Sequence, residues 1–126
     1  MKSIVIPVLR SAENGVSEFI EESYSLDDFN GLFISSRIEA QNFRHRMSQF
    51  GYFSSWHVAV DPTLIIIRQG TLRIGLRDGD FHAGDLFIAK DSLRQGEDFD
   101  EHKHGHTAKL IGEQELFSVH IKLSQN

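Results

Sequence analysis

The chain contains no cysteine. Disulfide frameworks, thiolate metal sites and cysteine nucleophiles are therefore excluded. The absence leaves the redox compartment undecided but is compatible with the cytoplasm, where we expect the protein to be located. Proline is also scarce, whereas ten glycines indicate frequent turns.

The sequence also lacks a basic run. Its formal net charge is −5, and its most arginine-rich spot is Arg44-His45-Arg46. Nucleic-acid binding needs clustered Lys and Arg against the phosphates, so we expect no nucleic-acid partner. No apolar run approaches the roughly 20 residues that span a bilayer, and IVIPVL near the start is interpreted as a strand. We therefore expect a soluble chain without a membrane partner.

Strand patterns dominate from Trp56 onward. Leu64–Ile67 is a continuous apolar run, which is typical of a strand covered on both faces. A turn at Gln69-Gly70 separates it from Thr71–Leu76, where apolar side chains recur at every second position. Asp78-Gly79 then favours the positive φ angles of a tight hairpin turn.

Similar strand patterns continue to the end of the chain. Leu86–Ile88 follows a turn at Gly84-Asp85, and residues 117–123 place apolar side chains on one face and polar ones on the other. Helical periodicity is weak throughout, and Ser25–Asp28 is expected to form at most one helical turn. Short strands separated by glycine turns predict an all-β sandwich or barrel.

The stretch GYFSSWHVAVDPTLIIIRQG carries Gly51, His57 and Gly70. With this spacing it resembles the first motif of the cupin superfamily. The later stretch LRDGDFHAGDLFIAKD resembles the second cupin hairpin, which often carries a Pro-x-Gly-Asp turn. The closer likeness is to a group of small bacterial single-domain cupins, which share the order Trp56-His57, Gly70, Gly84-Asp85, Asp91 and Gly105-His106.

The resemblance covers roughly residues 12–123 and implies an all-β fold of the cupin type. That fold is a jelly-roll barrel, or double-stranded β-helix, and is often paired into a dimer. We therefore expect one cupin domain over residues 1–126, with N-terminal strands in residues 1–50 and the core hairpins in residues 51–123. We also expect a homodimer.

The sequence departs from the ligand pattern of metal-binding cupins. Those proteins take two histidines and a glutamate from the first motif and a third histidine from the second. Here His57 matches the first ligand position, and the other three ligand positions of the two motifs are occupied by Ala59, Thr63 and Phe87. The resemblance places His57, Ala59 and Thr63 at the pocket inside the barrel, but only His57 matches an expected metal ligand.

The stretch HKHGH, residues 102–106, has histidine at every second position. The resemblance places His106 after the second hairpin, facing His57 across the barrel mouth. With one further ligand, these two histidines would hold Fe, Mn, Ni or Zn. The candidates for the third ligand are His104, His102, His45 and Glu101.

Two more residues are assigned to the pocket. His45 lies in strand register with Phe43 and Met47 and is expected to point inward with them. Asp91 is interpreted either as a structural residue or as a carboxylate that orients a pocket histidine.

Residues 94–106, RQGEDFDEHKHGH, form a polar insertion relative to the related chains. The simpler interpretation is a solvated loop that reaches over the barrel mouth. The alternative is a lid whose histidines and carboxylates respond to pH or bind a metal.

Three functions fit these features. The first is a cupin that binds a small organic ligand around His57 and His106 without a firmly held metal, as a sensor, a carrier or an acid–base isomerase. The second is a metal-dependent cupin enzyme of the dioxygenase or isomerase type. The third is a non-catalytic dimeric scaffold. Loss of three of the four usual ligands favours the first, and the sequence leaves open whether there is catalysis.

Overall fold

The computed structural model describes residues 2–125. Within this range the chain forms strands and no helix, so nothing in it could cross a membrane as a helix. The prediction of an all-β chain is confirmed. The strands are β1 (Lys2–Ser11), β2 (Ser17–Phe29), β3 (Leu32–Ile34), β4 (Ala40–Ser48), β5 (Phe53–His57), β6 (Thr63–Gln69), β7 (Thr71–Leu76), β8 (Gly79–Ala83), β9 (Leu86–Ala89), β10 (His106–Ile111) and β11 (Leu116–Leu123).

These strands form two sheets. One has seven strands in the order β3-β2-β1-β9-β6-β11-β4, and the other has four in the order β5-β10-β7-β8. A single apolar core joins them, with Ile65 and Phe87 from the larger sheet packed with Ile74 and Leu110 from the smaller one. Backbone hydrogen bonds do not close the two sheets into one barrel.

The N-terminal strands belong to the larger sheet. Strand β1 pairs in parallel with β9, and β4 pairs antiparallel with β11. Residues 2–48 therefore build both flanks of this sheet, and β9, β6 and β11 lie between them.

Two hairpin turns fall where the sequence predicts them, with one correction. Gly70 separates β6 from β7 with a φ of 91°, and a Cβ there would lie 2.8 Å from the carbonyl oxygen of Glu115, so glycine is required. In the next hairpin, Leu76 pairs with Gly79. The two turn residues are therefore Arg77 and Asp78 rather than Asp78-Gly79.

The residues Ser25–Asp28, for which at most one helical turn was expected, form none. These residues lie in the thirteen-residue strand β2. Ser25 pairs with Ser3 of β1, and Asp27 pairs with Ile34 of β3. Pairing with β1 and then with β3 supplies the backbone hydrogen bonds that a helical turn would otherwise provide.

Strands β4 and β11 keep the predicted alternation, but their polar faces point inward. On β11, Ser118 and His120 lie on the inner face. They pair with Arg46 and Arg44 of β4. The expectation that His45 points inward is therefore wrong, because it pairs with Val119 on the outer face. Phe43 and Met47 are exposed on the same outer face.

The polar insertion does not cover the interior. His104 is 2% exposed, and Lys103 and His104 lie against Gly15 in the β1–β2 turn. Arg77 donates hydrogen bonds to the carbonyl oxygens of Glu101 and His104, and its guanidinium stacks 3.4 Å above the Trp56 ring. Most of residues 94–103 are exposed, so this part of the segment is a solvated loop as predicted, whereas His104, Gly105 and His106 at its end are buried.

Candidate functional site

A cavity of about 560 Å³ opens into the interior beside the inner face of β4, β6 and β11. A smaller chamber of about 80 Å³ lies against the apolar core and shares six lining residues with this cavity. The residues that line both parts are Arg46, His57, Ile65, Ala89, His106 and His120. Two of the predicted pocket residues, His57 and His106, therefore lie at the junction of the outer cavity and the inner chamber.

His106 is fixed by a buried carboxylate. Its Nδ1 lies 2.7 Å from Oδ2 of Asp91, which is completely inaccessible to solvent. The same oxygen accepts a hydrogen bond from the Ser17 hydroxyl at 2.7 Å, and Oδ1 accepts one from the Ala59 amide at 3.1 Å. Of the two roles suggested for Asp91, the structure shows the histidine contact directly.

The hydrogen bonds to Asp91 determine its charge. Burial opposes ionisation, but the hydrogen bond and charge of His106, with the Ser17 and Ala59 hydrogen bonds, outweigh it and lower the pKa of Asp91. An ionised Asp91 accepts a hydrogen bond from the Nδ1–H group of His106. In the neutral ring this leaves the lone pair on Nε2.

His57 is held close to His106 by the backbone. The two residues are cross-strand partners of β5 and β10, and their ring centroids lie 4.4 Å apart. Gly105 makes this approach possible, because its φ is 84° and a Cβ there would lie 2.4 Å from the carbonyl oxygen of His57. The glycine of the Gly-His pair therefore has a structural reason.

His57 also presents a free Nε2 lone pair in its neutral form. Its Nδ1 donates to the carbonyl oxygen of Ser55 at 2.6 Å. Burial lowers the pKa of His57, and the charges of His106 and Arg46 lower it further. Together these effects outweigh the Ser55 hydrogen bond, which raises the pKa. Two neighbouring imidazoles of this kind can accept a proton from a bound molecule and return it.

The opposite wall of the cavity is cationic. Arg44 pairs across the strands with His120, and Asn42 pairs with Lys122, so these side chains share the inner face. Lys122 forms a 3.2 Å ion pair with Asp61. Within residues 2–125, neither Arg44 nor Arg46 forms an ion pair with a carboxylate.

The arginines affect the neighbouring histidine. Burial, followed by the charges of Arg46 and Arg44, lowers the pKa of His120 to about 4. At neutral pH His120 is therefore an uncharged hydrogen-bonding group, 3.1 Å from the Ser118 hydroxyl through Nε2.

Only some of the other predicted pocket residues line the cavity. Ala59 and Thr63 line its outer part, and Phe87, which stands at a cupin ligand position, lines the inner chamber. His45 lies on the outer face of β4, and His104 lies apart from the cavity. The Nδ1 of His104 accepts a hydrogen bond from the Asp100 amide, and Nε2 lies 3.2 Å from Oε2 of Glu97 in a poorly aligned contact.

The donor set does not fit the divalent metal of the usual cupin site. No group of three or more His, Cys, Asp or Glu side chains among residues 2–125 is arranged to hold a metal ion. His57 and His106 supply two nitrogens, but Ala59 and Thr63 supply no ligand of the usual kind, and Arg46 adds positive charge beside them. A catalytic metal normally has three protein ligands.

Volume alone does not identify the site. Two grooves of about 670 and 680 Å³ lie elsewhere on the surface. One contains the Glu22–Lys90 ion pair, and the other is lined mainly by apolar residues such as Phe19 and Phe81. Neither is lined by a histidine, whereas the interior cavity combines three histidines with a cationic wall.

Known protein families, curated proteins and solved structures give no match to this chain. The assignment of its function therefore depends on the cavity and its residues.

The main residues missed by sequence reasoning are Arg44, Arg46, His120 and Ser17. Alternation is visible on both β4 and β11, but a direction is predicted only for β4, where His45 is expected to point inward with Phe43 and Met47. The sequence does show basic or histidine side chains at every second position of each strand. These are Arg44 and Arg46 on β4 and His120 and Lys122 on β11, and this spacing could have indicated a shared polar face. Nothing in the sequence indicated that Ser17 would contact Asp91, 74 positions away.

We predict that Asp91→Asn lowers the free energy of unfolding at pH 7 by roughly 3 kcal/mol, because it removes the buried carboxylate that accepts hydrogen bonds from His106, Ser17 and Ala59. Folding depresses the pKa of Asp91, so its contribution is complete above the ordinary value of 3.8 and is lost as pH falls through the folded-state value. Urea unfolding of both proteins between pH 7 and pH 2.5 measures this difference.

The matched control for this measurement is Asp98→Asn, which changes an exposed carboxylate. We expect the stability of this control to stay within about 0.5 kcal/mol of the parent chain. An equal effect of the two substitutions at pH 7 would contradict the role given to Asp91.

We also predict that the pKa of His120 is about 4 and that Arg44→Gln or Arg46→Gln raises it, because each removes a positive charge. Following the Cε1–H signal of His120 by NMR over a pH titration measures both values. The control is Arg68→Gln, an exposed residue of β6 that does not line the cavity. A His120 pKa that is unchanged in all three variants would show that the arginines do not face this histidine.

Proposed function

We propose that the chain binds a small organic molecule in its interior cavity, with His57 and His106 as the polar groups that hold it. The proposal includes a cupin-type jelly roll as the fold that brings these residues together. It is supported by the pairing of His57 with His106 and by the Gly105-His106 geometry. The homodimer and the cytoplasmic location stay predictions of the sequence.

The observation that carries this proposal is the position of the two histidines. They line both an outer cavity of about 560 Å³ and a largely apolar chamber of about 80 Å³. Ligand sites in proteins are concave, mostly apolar and furnished with a few placed polar groups. A non-catalytic scaffold would instead be expected to fill this space with side chains.

The proposed binding site also supports acid–base chemistry. The Asp91–His106 pair resembles the carboxylate–histidine arrangement that fixes the tautomer and the orientation of an imidazole. The proposal requires only binding, because both imidazoles line the cavity whether or not a proton is transferred. Proton transfer would add an isomerase or related activity to the same site.

We predict that fragments found by NMR screening shift the imidazole signals of His57 and His106, and that Thr63→Trp abolishes this binding. Thr63 lines the outer cavity, so an indole there would occupy the space of the ligand. The matched control is Thr71→Trp, at an exposed position of β7 outside the cavity, which should retain binding. Fragments that bind equally to both variants, or that never shift the two histidine signals, would contradict the proposal.

A metal-dependent enzyme is tested separately. We predict that protein purified without a histidine tag contains less than about 0.1 equivalents of Fe, Mn, Ni or Zn, because the third protein ligand of a catalytic site is missing. Elemental analysis by mass spectrometry measures this. Stoichiometric metal that disappears in both His57→Ala and His106→Ala would overturn the prediction and support the metalloenzyme.

A further inference from the structure

We propose that the ligand of this cavity is a small organic carboxylate whose charged group binds Arg44 and Arg46 and whose carbon chain enters the inner chamber. This inference rests on the proposed function and adds the chemical class of the ligand. It follows from three properties of the cavity, namely its uncompensated charge, the register of its cationic strand and the shape of its apolar end.

The charge of the cavity wall is not balanced within the described part of the chain. Arg44, Arg46 and Lys122 line the outer cavity, whereas Asp61 is the carboxylate among its lining residues. Asp61 is paired with Lys122 at 3.2 Å, which leaves two guanidinium groups without a carboxylate. Asp91 is buried behind His106 and already accepts three hydrogen bonds. An anion entering the cavity would therefore meet a net positive wall.

The register of β4 gives the two arginines a common direction. They are two positions apart on one strand, which places their Cα atoms about 7 Å apart on the same face. Arg44 pairs with His120 and Arg46 pairs with Ser118. A guanidinium presents paired N–H donors that match a carboxylate, so two such groups on one face form a suitable anion-binding wall.

The inner chamber limits the rest of the ligand. It measures about 80 Å³ and has apolar walls that include Leu72, Ile74 and Phe87. At about 30 Å³ for a water-sized group, this space accommodates roughly three carbon-sized groups. Arg46 lines both the outer cavity and the chamber, so an anionic head and an apolar tail can be bound at the same time. An inorganic anion would satisfy the arginines but would leave the apolar chamber unused.

The histidines lie between these two regions. His57 and His106 line both the outer cavity and the chamber, as Arg46 does. A carboxylate bound at the arginines would therefore place the adjacent carbons near the two imidazoles. A hydroxyl or carbonyl group at these carbons could hydrogen-bond to the histidines, which makes hydroxy and oxo acids the favoured members of this class.

The test uses butyrate, its neutral analogue butyramide and inorganic phosphate as probes. Each is titrated into the isotopically labelled full-length chain while the histidine Cε1–H and arginine Nε–H signals are recorded by NMR. We expect butyrate to bind at least tenfold more tightly than butyramide and to shift the signals of Arg46, His57 and His106. We expect phosphate to shift the Arg44 and Arg46 signals without shifting the signals of residues that line only the inner chamber.

The matched variants separate charge from packing. The double variant Arg44→Gln/Arg46→Gln should weaken butyrate binding at least tenfold, whereas Arg68→Gln should leave it unchanged. Arg44, Arg46 and Arg68 all have exposed side chains. Thermal unfolding of each variant verifies that the fold is retained.

Each contrary outcome has a distinct meaning. Equal binding of butyrate and butyramide at His57 and His106 would overturn the carboxylate preference but leave the proposed small-molecule function standing. Butyrate binding that survives the double substitution would also overturn it. Phosphate binding as tight as that of butyrate would replace an organic acid with an inorganic anion. If butyrate shifts no cavity signal, the carboxylate proposal fails, and the fragment screen with Thr63→Trp separately decides the proposed function.

Discussion

The structure of the site depends on one buried interaction, the hydrogen-bonded pair of Asp91 and His106. Asp91 lies after β9, His106 begins β10, Ser17 begins β2, and Ala59 lies between β5 and β6. One carboxylate therefore connects four separate parts of the chain. The carboxylate holds these parts in fixed relative positions through its hydrogen bonds. It fixes the ring of His106 at the cavity and joins both sheets around it.

The interior of this protein is divided between a packed core and a polar cavity. Ile74 and Phe87 are almost completely buried and form part of the apolar core that also walls the inner chamber. Beyond them, β4 and β11 turn Arg44, Arg46 and His120 inward and leave Phe43 and Met47 exposed outside. This inversion of the usual pattern is consistent with an interior that admits water or a ligand. Chemistry at the site is thus separated from the residues that hold the sheets together.

The sequence was sufficient for the strand content and for much of the site. Alternation and glycine turns predicted the all-β class. The cupin resemblance put His57 and His106 in one pocket but across its mouth from each other, whereas they are partners on adjacent strands. The direction of alternation on β4 could not be predicted, because period 2 indicates two faces without indicating which one is inside. His45 was placed inside for this reason, and Arg44 and Arg46 were overlooked. The burial of His104 depends on Arg77, whose contacts with residues 101 and 104 arise only in the folded chain.

The central claim is that the interior cavity beside His57 and His106 is a binding site for a small organic molecule. A crystal structure of the protein soaked with an organic acid tests it most directly, through the electron density within the cavity. We expect density for the acid, with its carboxylate at Arg44 and Arg46 and its carbon atoms beside the two histidines. A cavity closed by side chains, or a metal ion coordinated by His57 and His106, would contradict it.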